Sequence, residues 1–221
     1  VTLPAYLEVG TKRVFAGAVA WPGWVRSGKT EAQALEALAA AAERYGPVAA
    51  LAGLTLPTAA FDVVEQVKGD ATTDFGAPSG ILEADRAPLA GPQAARIAGL
   101  VAASWTYLDG VVASAPAELR KGPRGGGRDR DKILAHVLGA EEAYASKLGI
   151  RAKSLPPDDA GPGSALRSAL LELIGAPWDG TLAKERGWPP AYAARRIAWH
   201  ALDHAWEIED RSVTSDVGPE E

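Results

Sequence analysis

Three histidines make up the imidazole complement of this 221-residue chain, and their spacing is the first feature with chemical content. His200 and His204 stand four apart in WHALDH, so on a helix they project from one face, one turn from each other. His136 lies in DKILAHVLGAEEAY, where Ile133, Val137 and Ala140 mark an apolar helical face and turn its ring inward. Three imidazoles around a divalent ion leave a position open for water or substrate, as Lewis-acid chemistry requires. Imidazole-only sites suit zinc, nickel, iron or copper. Asp203, Glu207 and Glu141 are candidates to accept the second ring N–H of a ligand, or to act as a proton-transferring base. Each fits a solvated helix surface equally well. Spacing alone also allows an arrangement without metal, because Ile197 and Ala201 place His200 at the edge of a core.

Just before the helix of His136 runs RKGPRGGGRDRD (120–131), in which Arg120, Lys121, Arg124, Arg128 and Arg130 surround Gly125, Gly126 and Gly127. Glycines permit close backbone approach and arginines bind carboxylate or phosphate in a fork. The segment reads either as an anion-binding loop or as a solvated connection whose cations neutralise nearby carboxylates. Arg128, just before the helix start, is the candidate for a catalytic role. Trp199 and Trp206 flank the histidine pair at helical spacing, which fits packing better than substrate stacking.

Two halves of different character must position these residues. YLEVG and RVFAGAVAW read as strands around a Gly-Thr-Lys turn at 10–12. A helix follows from Thr30, with Gln33 completing a capping box and Gly46-Pro47 as its stop. FDVVEQVKG, from Phe61, is a third strand. The expectation is an α/β domain over 1–75 and a Gly/Pro-rich linker over 76–91. A helical bundle follows over 92–212, with a tail at 213–221. Within the bundle, helices are expected from Pro92, over 131–148, over 164–174, and from Pro189-Pro190 to Arg211. The first shows Ile97, Leu100, Val101, Ser104, Leu108 and Val111 on one face. Four helices with loops of moderate length suggest a four-helix bundle, and the fold class is α+β.

Composition narrows the function classes. The net charge of −5 argues against a general nucleic-acid binder. The absence of cysteine removes disulfides, thiolate metal sites and a cysteine nucleophile, and fits a cytoplasmic address weakly. No secretory pattern opens the chain and no run of 18 apolar residues occurs, so no membrane association is expected.

GWVRSGKT (23–30) matches the phosphate-binding loop G-x-x-x-x-G-K-[ST], with Lys29 and Thr30 in the phosphate and magnesium positions. Against that stand bulky Trp24, the short first half, and the lack of an apolar strand ending in a magnesium-binding Asp.

Two resemblances sharpen these expectations. The segments 131–144 and 195–211 resemble the DinB-like family of metal-binding four-helix bundles, related to bacillithiol- and mycothiol-dependent transferases. The likeness spans about residues 92–211 and implies that His136, His200 and His204 are the metal ligands. After the pair, this chain has Ala-Trp-Glu-Ile-Glu-Asp in place of the family's frequent His-Arg-Gly-Gln. FAGAVAWPGWVRSGKTEAQALEAL resembles the small HicB-like α/β fold through Pro22, Gly23, Gly28, Thr30, Glu31 and Ala32, over about residues 6–50. Such domains often belong to antitoxins with a DNA-binding segment, which this sequence lacks, so the domain would instead dimerise or cover the bundle. Together the resemblances imply a metal-dependent thiol transferase or isomerase acting on a small electrophile. Its cofactors would be zinc or nickel and a low-molecular-weight thiol, with Arg128, Asp203 and Glu207 assisting catalysis. The rival is a non-catalytic regulatory or partner-binding protein with a structural metal.

Overall fold

The computed structural model describes residues 2–57, 60–122, 126–156, 161 and 163–212. Arg124, Gly125 and the tail at 213–221 lie outside the described residues. The fold is mixed α+β. Strands β1 (Thr2–Val9), β2 (Val14–Ala18), β3 (Val25–Gly28) and β4 (Ala60–Lys68) form one sheet in the order β3-β2-β1-β4. β1 pairs antiparallel with β2 and parallel with β4. A parallel pair needs a crossover, here supplied by helices α1 (Glu31–Ala40) and α2 (Ala42–Leu51).

The expected helix from Thr30 is present but is two helices. The ladder breaks at Ala41, and α2 runs through Gly46-Pro47 instead of stopping there. Pro47 removes one ladder donor. Fully buried Tyr45, Val48 and Ala49 hold α2 in place across that defect. The capping box is half formed: Thr30 accepts from Gln33 N, while Gln33 Oε1 accepts from Lys29 N.

β3, which the sequence did not single out, disposes of the phosphate-loop reading. Residues 25–28 are extended and paired antiparallel with β2, and the Thr30 hydroxyl caps α1. No backbone nest for phosphate can form from a strand in that register.

The helical half follows the expected order. It comprises α5 (Gly91–Ser114), α6 (Arg130–Lys147), α7 (Ser164–Gly175) and α8 (Pro190–Ser212), packed around Val101, Leu108, Ile133, Val137, Leu170, Ile174 and Ile197. By length and composition α5 could cross a membrane; here a third of its apolar stretch is buried, with Leu100, Val101 and Leu108 on the packed face.

The two halves share a core. Trp24, Leu38 and Tyr45 of the first half cluster with Leu100 and Ala103 of α5 and with Leu202 and Trp206 of α8. The α/β half thus covers the bundle. Gly23, at φ 90°, makes a close approach: a Cβ there would lie 2.7 Å from Leu202 Cδ1 and 3.2 Å from Ala198.

The stretch read as a linker is clamped between the halves. It follows α3 (Ala71–Phe75) and contains α4 (Glu83–Arg86). The fully buried Glu8 carboxylate accepts from the backbone N–H groups of Ser79 (2.9 Å) and Gly80 (2.8 Å). On the other side Arg195 of α8 donates through Nε to Asp85 Oδ1 (3.0 Å) and through Nη2 to the Gly80 carbonyl (3.2 Å). Arg195 and Asp85 are both buried.

Two stability predictions follow from this seam. Asp85→Ala leaves a buried guanidinium unpaired, and urea denaturation should show a loss of about 3–5 kcal/mol. Gly23→Ala forces a side chain into both a left-handed backbone and α8, and should cost about 1–3 kcal/mol by the same measurement.

Candidate metal centre

Helix α8 carries His200 and His204 one turn apart, with Ala201 and Ala205 on the buried flank of the same stretch. On α6, Ile133 and Val137 pack into the bundle core on either side of His136 in sequence. Packing α6 on α8 through that core brings the third ring to the other two.

The ring centroids lie 5.1 Å (His136–His200), 5.0 Å (His136–His204) and 4.7 Å (His200–His204) apart. One ligand nitrogen from each ring lies within 4.8 Å of the others, close enough to bind one metal ion. His136 Nε2 and His200 Nε2 are 3.3 Å apart. Two nitrogens each ~2.05 Å from a tetrahedral ion are themselves ~3.3 Å apart, so this pair already has ligand spacing.

The third ring is oriented by a carboxylate. His204 Nδ1–H donates to Glu207 Oε2 (2.9 Å), whose other oxygen accepts from Arg211 Nη1 (2.7 Å). An ionised carboxylate only accepts, so Nδ1 carries the proton and the lone pair is left on Nε2. The bonds from His204 and Arg211 hold the Glu207 carboxyl below the usual carboxylate range. Burial, reinforced by His204 and His136, lowers the pKa of His200 to about 2. Burial, then the neighbouring charge of His204, also lowers that of His136. Both therefore stay neutral, the form that ligates. His200 Nδ1 is buried without a hydrogen-bond partner among the described residues.

The His136 ring stands against both α8 rings. His200 is buried, while His136 and His204 keep part of their surface open. The cluster is therefore reached by solvent at His136 and His204 and closed at His200.

The candidate assistants divide. Glu207 is at the histidines. Arg128 is exposed at the mouth, where its charge acts on His136 and His200. Asp203 turns toward the sheet and faces Arg26 of β3 at 3.9 Å; burial raises its pKa, against the pull of His204 and Arg26. Glu141 does not join the site. Five residues beyond His136 it lies far around the helix, buried and bidentate to Arg167 (3.0 and 3.1 Å).

Most of the Gly/Arg loop serves as a pinned connection. Arg120 donates to the Asp210 carbonyl, Lys121 pairs with Asp129, and Arg130 pairs with Asp131. Gly127, at φ 118°, leaves room for the Arg211 guanidinium, which a Cβ would meet at 2.8 Å. Trp199 and Trp206 are buried packing residues, Trp199 edge-on to Phe15.

Three arginines at the site were not singled out from the sequence. Arg196 and Arg211 could have been, one turn before His200 and one turn after Glu207 on the same helix. Arg26 could not, since it reaches α8 only through docking of the sheet.

Comparison with family models, curated proteins and solved structures finds no match for this chain.

If Glu207 orients His204 as a ligand, Glu207→Ala should weaken zinc binding about 10–100-fold. Competition with a chromophoric chelator reads this directly, and unchanged affinity would remove Glu207 from the site.

Proposed function

We propose that His136, His200 and His204 hold a divalent transition metal, zinc or nickel. On this reading the chain is a metal-dependent enzyme of DinB-like type, a thiol-dependent transferase or isomerase acting on a small electrophile. The observation that carries this is the convergence of three imidazole nitrogens, with one pair at 3.3 Å. A metal in this position would supply a Lewis acid able to lower the pKa of a bound thiol. The thiol comes from outside, since the chain has no cysteine.

The chain's own residues do the rest. Glu207 fixes the tautomer of His204, and Arg211 keeps Glu207 ionised. Arg128 lies at the mouth, where it can meet an anionic group of the substrate. The buried flank of His200, beside Tyr144 and Trp199, excludes water from one side. The HicB-like likeness of the first half assigns it no DNA contact; its part is to cover the bundle and wall one side of the site.

Protein purified without an affinity tag and incubated with zinc should hold about one equivalent, and His200→Ala/His204→Ala should hold none. Chelation should leave the parent folded with a cooperative thermal transition, because the bundle has an apolar core of its own. Collapse of the fold on chelation would favour the structural-metal rival. A parent that takes up no zinc or nickel would leave the histidines as core residues.

A further inference from the structure

Beside the histidines, a groove of about 510 Å³ is lined by Arg26, Arg44, Asp203, Trp206, Glu207 and Arg211, among others. It shares Glu207 with the histidine cluster. Its three arginines are not equivalent. Arg44 is closely paired with Glu209 (2.8 Å) and Asp210 (2.7 Å), and Arg211 with Glu207 (2.7 Å). Arg26 has no such partner. Its guanidinium lies 3.7 Å over the Trp206 ring and is 20% exposed. Its side-chain contacts to oxygen among the described residues are the Val25 carbonyl at 3.4 Å and the Asp203 carboxylate at 3.9 Å.

A guanidinium carries five donors in a planar fork, and a half-buried one satisfied so sparsely is poised to take a further oxygen ligand. Stacking on Trp206 fixes its plane in advance, which lowers the entropic cost of a bidentate contact. Of the carboxylates in the groove, Asp210 is paired with Arg44 and Glu207 with Arg211, leaving Asp203, at 3.9 Å, to face Arg26. Carboxylate is the planar anion that matches the fork.

We propose that Arg26, carried by β3 of the α/β half, is the anion-binding residue of the histidine site, so that the thiol or its acceptor presents a carboxylate to it. The two halves then build one site, with the ligand atoms on the bundle and the specificity-determining cation on the sheet. This rests on the metal reading above, and the test separates the two.

Cobalt(II) is loaded into the full chain and titrated with 3-mercaptopropionate and with its neutral isostere 3-mercaptopropionamide. Sulfur-to-cobalt absorption reads binding. The parent should bind the carboxylate thiol about tenfold more tightly than the amide, the worth of one charge-assisted contact. Arg26→Gln should bring the two affinities together while leaving cobalt stoichiometry and amide affinity unchanged. Arg26→Lys, which keeps the charge and loses the fork, should fall between. Equal affinities in the parent overturn the proposal without any variant, and so does a preference that survives in Arg26→Gln. Failure to take up cobalt is a different result: it removes the metal site itself, and this inference with it.

Discussion

A helix packed on several sides at once cannot carry large side chains on all of them. α8 meets that constraint with alanines at 193, 194, 198, 201 and 205, all fully buried. α5, α6 and α7 approach it within the bundle, and the Pro22-Gly23 turn of the α/β half approaches it from outside. Large partners such as Ile133, Leu170 and Ile174 fill the space the alanines leave. The small residues therefore decide how close two histidines on α8 come to a third on α6, and whether a strand can reach the same helix.

Polar chemistry is confined to the faces of α8 that alanine does not line. Arg195 points back into the seam and is neutralised by Asp85. Further along, Glu209 accepts from Tyr107 of α5 at 2.6 Å and from Arg44 of α2 at 2.8 Å, so one carboxylate ties α8 to both halves. Buried charges of this kind add little net stability, because desolvation offsets much of the attraction. They do penalise any register in which a partner is missing. The seam between sheet and bundle is apolar at its centre and ionic along its edges, and the histidines lie beside that ionic edge.

Much of this was legible in the sequence, for physical reasons. Helices α5, α7 and α8 show apolar periodicity bounded by Gly and Pro, α6 shows little beyond Ile133 and Val137, and period and punctuation are local properties. The HxxxH spacing is likewise local, so the two histidines of α8 could be placed on one face before any fold was known. What failed was whatever tertiary contact decides. β3 is four residues long and lies in a segment that matched a phosphate loop; pairing with β2 makes it a strand. Pro47 marked a helix end, but burial of Tyr45, Val48 and Ala49 outweighed it. Glu141 lay near His136 in sequence and away from it around the helix. How much of His136 stays open to solvent depends on where α6 crosses α8, which no spacing encodes.

The graded burial of the three histidines bears on what the cluster can do. His200 is buried and held neutral, His204 is half-buried and held by Glu207, and His136 keeps part of its surface open. A structural ion is normally enclosed by four protein ligands. Three imidazoles with part of their surface open would, around an ion, suit exchange with a small molecule instead. The two inner rings share one rigid helix, while the outer ring arrives on α6, whose connection to α5 is the glycine-rich loop pinned to α8 through Arg120 and Arg211. Formation of the three-ring site and packing of α6 on α8 are therefore one event. An ion bound to all three rings would favour that packing in proportion to its own affinity. By the same linkage, whatever loosens α6 would weaken the ion's hold before it disturbed the core around Ile174 and Leu170.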